Sequence, residues 1–262
     1  VKHTRRSTIN GRAIWITRPA QQAENLRRML ESAGANAINF PVIEITPVLQ
    51  QRATRDIDHD VAASDLIIFT SRNAVIHAES ALPDIFKIIS AKTILAVGEG
   101  TRRELAGKGI KHAVRAAGSG SEVLLKLKQL RRDAIAGKRI LIVRGVGGRK
   151  LLEQALSNAG AKIKYLEVYQ RVRPETADRY PTKLWRDTPP DAIIVTSVEG
   201  LMNLIELTGE TNRQQLLQTP LAVMSDRIRA AAKSAGFIPD PAVASNASDG
   251  GLLRAVSRIF ED

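Results

Sequence analysis

Residues 11–47 read GRAIWITRPAQQAENLRRMLESAGANAINFPVIEITP, and residues 137–174 read GKRILIVRGVGGRKLLEQALSNAGAKIKYLEVYQRVRP. These stretches decide the fold, because they are one pattern written twice. Each opens on a basic residue and an apolar-rich run that ends at Arg18 or Arg144. A helix-period segment follows, closed by Ala-Gly-Ala, then a second apolar strand and a proline. Outward from them the repetition continues. DLIIFTSRNAV (65–75) returns as DAIIVTSVEGL (191–201), and LAVGEGTRRELAGKGI (95–110) as LAVMSDRIRAAAKSAGF (221–237). GSGSEVLLKLKQL (118–130) is matched by SNASDGGLLRAVSRI (245–259). Gly11 recurs as Gly137, Asp65 as Asp191 and Leu95 as Leu221, a constant spacing of 126 that slips by one or two residues near the end of each copy.

The short runs Ile14–Thr17, Leu66–Thr70, Ile94–Val97, Ile140–Val143, Ile193–Thr196 and Leu221–Val223 are continuous rather than alternating. Strands covered on both faces read this way, so parallel sheets flanked by helices are expected. A helix is predicted over 20–33 with Leu26, Met29 and Leu30 on one stripe. Its counterpart over 149–159 carries Leu151, Leu152, Ala155 and Leu156. Gly34 and Gly160 supply the left-handed residue that ends a helix without steric cost. The fold class is α/β: two similar parallel-sheet units from an internal duplication.

The chain of 262 residues has no cysteine, which excludes thiol catalysis, disulfides and cysteine-bound metal. His3, His59, His77 and His112 lie far apart with no ligand-like spacing, so no metal is expected. No apolar run reaches the roughly eighteen residues of a membrane span. The basic start, Val1 to Thr8, reads as a frayed end rather than a secretory signal, and the cytoplasm is the expected location. Net charge is +12, from 39 Lys and Arg against 27 Asp and Glu, which favours anionic partners. The basic residues are dispersed and aromatics make up only 4%, which argues against nucleic acid and leaves an anionic small molecule or plain surface charge as the readings.

In open α/β sheets ligands bind beyond the carboxyl ends of strands, where helix N-termini favour anions. The candidates there are Thr17 and Arg18, Thr70 to Asn73, Gly98 to Thr101, Arg144 to Gly148, Thr196 to Glu199, and Ser225 to Arg227. Each has a plainer reading. Thr101 opens T-R-R-E, a capping box with Glu104. Ser71 and Ser197 fit as helix caps. Arg18 and Arg144 share one repeat position, as ligand contacts or as a surface residue inherited twice. No dinucleotide fingerprint, Walker loop or G-x-S-x-G nucleophile motif occurs. Tyr169 stands where the other copy has Ile43. It is either a core residue with its hydroxyl at an edge, or a weak acid placed to protonate or hold a leaving oxygen.

IIFTSRNAV (67–75), AVGEGTRREL (96–105), LIVRGVGGRKLLEQAL (141–156), EVYQRVRP (167–174), IVTSVEGL (194–201) and VASNASDGGLL (243–253) together resemble uroporphyrinogen-III synthases, from about Gly11 to Phe260. The resemblance implies two α/β domains, one of 1–43 with 172–262 and one of 46–168, joined by connector strands near Pro41–Thr46 and Glu167–Val172 with a cleft between the domains. It implies a substrate, hydroxymethylbilane, with eight carboxylates. Its terminal hydroxyl leaves to give an azafulvene; ring D attacks through its substituted carbon to give a spiro intermediate; reclosure with ring D inverted gives uroporphyrinogen III. No cofactor is implied, the chain is expected to be a monomer, and hand-over from the enzyme that makes hydroxymethylbilane is the implied partner. Tyr169 falls at the family's tyrosine, the candidate for helping the hydroxyl depart. Arg18, Ser71, Asn73, Gly98, Thr101, Arg144, Gly145, Ser197 and Ser225 are the candidate substrate contacts. In the second copy Met224 to Arg227 replace Gly98 to Thr101. Three alternatives to the enzyme stay open: a two-lobed binding protein for an anionic metabolite, a nucleic-acid-binding α/β protein, and a family member that kept the fold and lost activity.

Overall fold

A computed structural model describes residues 8–48, 53–118, 120–148, 150–174 and 180–261. The basic start up to Ser7 and Arg149, at the head of the second predicted helix, lie outside the described residues. The described strands are β1 (Ala13–Ile16), β2 (Asn36–Asn39), β3 (Glu44–Pro47), β4 (Leu66–Phe69), β5 (Thr93–Ala96), β6 (Val114–Arg115), β7 (Arg139–Gly145), β8 (Lys162–Val172), β9 (Ala192–Val195), β10 (Leu221–Val223) and β11 (Ala242–Val243). They form two sheets, ordered β11-β10-β9-β1-β2 and β3-β8-β7-β4-β5-β6. The chain divides into unit 1 (Val1–Glu44 with Val172–Asp262) and unit 2 (Ile45–Arg171), so it passes from one to the other twice.

Unit 1 is a parallel sheet clothed on both faces. Ile14, Ile16, Ala192, Ile194 and Ala222 pack against Leu26 and Leu30 of the helix Ala20–Ser32 and against Leu252 and Val256 of the helix Asp249–Ile259. On the other face Trp15 meets Phe40 and Trp185, each with ring centroids 4.8 Å away. Ala23, Leu26 and Leu30 are the buried stripe of the first helix, and Met29 is only half-buried.

In unit 2 the alternation across each strand is just as clear. Ile67, Phe69, Ile94, Ala96, Leu141 and Val143 face one core with Ile57, Val61 and Leu105. Leu66, Ile68, Leu95, Ile140 and Ile142 face a second core with Leu124, Leu130, Ile135, Leu152 and Leu156. Apolar side chains at every position are the consequence of cover on both sides. Gly34 and Gly160, both at φ 91°, end the helices Ala20–Ser32 and Leu151–Asn158 in the left-handed region.

The two sheets share one order, β11-β10-β9-β1-β2 beside β6-β5-β4-β7-β8. Even the register agrees: Ile14 pairs Ala192 as Ile140 pairs Leu66, and Ala13 pairs Asn36 as Arg139 pairs Lys162. Pairings beyond β4 and β9 depart from the spacing of 126. Ile67 pairs Ile94, whereas Ile193 pairs Leu221, a spacing of 127 for that strand. A second slip, to 128, falls towards the ends of the copies before β6 and β11, where Leu95 pairs Val114 as Ala222 pairs Ala242, but the first already falls before β5 and β10. That first slip makes Ser225, not Met224, the counterpart of Gly98: each precedes the first residue of its helix (Glu99–Gly107, Asp226–Ser234). A further difference lies at 121–135, where short helical turns stand opposite the single helix Asp249–Ile259.

Candidate active site

Tyr169 owes its position to an irregularity in β8. Arg144 pairs Glu167, but Gly145 pairs Tyr169, so β8 carries one extra residue. A bulge re-aims the side chains beyond it. Val168 and Tyr169 are consequently both buried and both belong to the same core. The tyrosine ring lies against Gly145, where a Cβ would come within 2.5 Å of Cζ. Its hydroxyl oxygen is 3.1 Å from Ser71 Oγ, and that Oγ also accepts the Ala74 N–H at 3.1 Å, capping the helix Arg72–Ile76. Behind the ring stands His77, centroids 6.0 Å apart, its Nε2 buried without a hydrogen-bond partner. Burial holds the His77 pKa below its ordinary 6.5.

Tyr169 lines a pocket of about 500 Å³ at the carboxyl ends of the unit 2 strands. Thr70 and Ser71 follow β4, Val97 follows β5, and Arg144 to Gly148 close β7. Arg144 and Arg171 bring positive charge to its wall, Ser121, Tyr165 and Tyr169 bring hydroxyls, and Glu122 is the acid among them. Arg144 is only 7% exposed. Its Nε lies 3.1 Å from the Gly145 carbonyl and 3.7 Å from Glu167, and its guanidinium sits 4.6 Å over the Tyr165 ring. Such a wall suits a ligand with several carboxylates, because a guanidinium in a low-dielectric rim pairs with a carboxylate far more strongly than one in water.

Of the residues singled out in the sequence, Ser71, Arg144, Gly145 and Tyr169 come together around this pocket. Asn73, half-exposed in the first turn after Ser71, is not on its wall; nor are Gly98 and Thr101. Thr101 does not cap a helix. Gly98, extended at φ −150°, is the cap, and its carbonyl accepts the Arg102 N–H at 3.0 Å. Thr101 is instead buried in the first turn, at the position that Ile228 fills in unit 1, and Glu104 pairs with Arg72 at 2.8 Å. Ser197 caps the helix Val198–Thr208 by accepting the Gly200 N–H at 2.9 Å; Ser225 precedes its helix without a side-chain bond. Arg18 is no loose surface residue either, being 12% exposed and paired with Asp249 at 2.5 Å. Among the described residues no group of three or more His, Asp or Glu is arranged to hold a metal ion.

Tyr165, Arg171 and Glu153 were missed by motif reading. Arg171 could have been found from its place two residues past Tyr169 on the same strand, but Tyr165 could not, because the bulge breaks the period and Tyr165 packs against the opposite core from Tyr169. Glu153 has no local signal, because its partner Tyr165 lies on another element.

Comparison with known proteins bears on the chemistry. Residues 24–254 match the family model described as uroporphyrinogen-III synthase HemD. The chain is 34% identical to the uroporphyrinogen-III synthase of Escherichia coli over 93% of its own length and 99% of that protein. It is likewise 34% identical to the Salmonella typhimurium enzyme, over 93% and 99%. Among solved structures, uroporphyrinogen-III synthetase from Helicobacter pylori superposes with a TM-score of 0.62 at 14% identity, covering 95% of this chain and 99% of the other. A Thermus thermophilus uroporphyrinogen III synthase mutant gives 0.58 at 21%, covering 95% and 98%. At those identities the structures speak for the fold, while the sequence matches speak for the family: the chain belongs to the uroporphyrinogen-III synthases.

Proposed function

We propose that the chain cyclises hydroxymethylbilane to uroporphyrinogen III in tetrapyrrole biosynthesis, as a cyclising hydro-lyase, with Tyr169 as the proton donor to the leaving hydroxyl. The observation that carries the assignment of roles is the Tyr169 hydroxyl, held by Ser71 on the wall of an arginine-bearing pocket. Ser71 Oγ already accepts the Ala74 N–H. Its own proton, turned to the Tyr169 oxygen, leaves the phenol proton directed into the pocket. That proton goes to the terminal hydroxyl as the C–O bond breaks and water departs, and the electron pair of the pyrrole nitrogen completes the azafulvene. The proton that the ring system later sheds restores Tyr169. Ring D then attacks through its substituted carbon, and the spiro intermediate reopens and recloses with ring D inverted. Much of this is steering: a bound, curled bilane brings the reacting carbons together. No cofactor takes part.

Arg144, with the Gly145 backbone and Ser71, is assigned to substrate carboxylates in unit 2, and Asn73 and Gly98 to the same unit's outer contacts; Thr101, buried in the turn after Gly98, takes no outer contact. Arg18, Ser197 and Ser225 are assigned to carboxylates at the strand ends of unit 1. In this reading the chain acts as a monomer in the cytoplasm and receives hydroxymethylbilane from the enzyme that makes it, without nucleic acid or membrane. Among the described residues no helix is long and apolar enough to cross a membrane.

The test is Tyr169→Phe, which keeps the ring and removes the proton. Uroporphyrinogen III formation should fall by roughly 10²-fold with the melting temperature little changed. Undiminished turnover would remove Tyr169 from the chemistry.

A further inference from the structure

We propose that Tyr165, anchored by Glu153, is a positioning residue that presents the Arg144 guanidinium to carboxylates in the unit 2 pocket. The proposal rests on reading that pocket as a polycarboxylate site. Tyr165 donates its hydroxyl proton to Glu153 Oε2 at 2.9 Å, which fixes the tilt of the ring. Burial, together with the Glu153 carboxylate, pushes the phenol above its ordinary pKa, so it remains a donor across the working range. Arg144 lies over the face of that ring, its Cζ 4.6 Å from the centroid. A guanidinium is planar and weakly hydrated, and an aromatic face fixes its plane without consuming its N–H groups. Gly148 completes the arrangement, because a Cβ there would collide with Arg144 Nη2. The nearest acid shown, Glu167, approaches Nε no closer than 3.7 Å and is 40% exposed. The head group is therefore oriented by an uncharged face rather than locked by a close carboxylate.

This also accounts for the run Arg144-Gly-Val-Gly-Gly148 followed by Glu153. Three of its residues act on one guanidinium: Arg144 carries it, Gly148 makes room for it, and Glu153 holds the ring beneath it. Unit 1 lacks the device. By the spacing of 126, Asn39 and Arg27 stand where Tyr165 and Glu153 do, and Arg18 is instead paired with Asp249 at 2.5 Å.

The experiment titrates a stable fluorescent octacarboxylate, uroporphyrin I, into the full chain. Wild type, Tyr165→Phe, Tyr165→Leu, Arg144→Ala and the double variant Arg144→Ala/Tyr165→Leu are compared, with melting temperatures alongside. Tyr165→Leu should weaken binding by about tenfold. Tyr165→Phe, which keeps the face, should lose about twofold, and the double variant should bind as Arg144→Ala does. Full-strength binding by Tyr165→Leu, or losses that multiply in the double variant, would overturn the proposal; so would a wild type that does not bind the probe. Because binding is read without turnover, the positioning role stands or falls apart from the synthase activity. A chain that binds uroporphyrin I with this pattern, yet forms no type III isomer, refutes the proposed function alone.

Discussion

Gly145 has no side chain, and the ring of Tyr169 occupies the space where one would be. A methyl group at Gly145 would sit 2.5 Å from Tyr169 Cζ and 2.7 Å from Cε2, so a buried ring must shift. Gly145→Ala should lower stability by about 1–3 kcal/mol and reduce turnover by displacing the hydroxyl from Ser71. Thermal melting and steady-state assays read both, and a variant equal to wild type in each would contradict the close approach. His77 gives a pH signature. Burial depresses its folded-state pKa below the ordinary 6.5, so the native ring resists protonation while the unfolded chain takes up the proton. This contribution to stability is complete above about pH 6.5 and declines as the pH falls below it. His77→Phe should therefore lose less melting temperature than wild type between about pH 7.5 and about pH 5.5. An identical loss would mean that His77 is not titrating under burial. At this scale the sequence was partly legible. Tyr169 stood out because it broke a near-symmetric repeat. Tyr165 and Glu153 did not, because their meaning lies in a contact between a strand and a helix.

Strands and helix stops were the most legible elements, since both are written locally. The apolar runs at 66–69 and 140–143 are strands for the reason their composition suggests: both faces are covered. The two-residue strands β6 and β11 are too short to carry a period, and the bulge in β8 has no residue signature, because Glu167-Val168-Tyr169 would also fit a regular strand. Helix ends can be tested directly. Gly160 holds φ 91° with Ala136 Cα 3.5 Å from where a Cβ would be. Gly160→Ala should destabilise the chain by about 1 kcal/mol or more, from the strained backbone conformation. Denaturant titration measures this, and a neutral or stabilising result would contradict the left-handed stop.

For the whole molecule, pairing between distant strands decides the outcome. β1 pairs β9 some 180 residues along the chain, and β7 pairs β4 behind it. No local periodicity encodes such partners. The repeat showed which strands are equivalent, and the resemblance to a family implied which ones exchange; the matching order and register of the two sheets fit one unit used twice. We propose the duplication on that ground. The net charge of +12 suits an octa-anionic substrate at this scale too. The most direct measurement supplies hydroxymethylbilane to the wild-type chain, oxidises the products to porphyrins and resolves the isomers by chromatography against a protein-free control. The account predicts mostly type III product where the control gives type I; type I alone, in the same yield as the control, would contradict it.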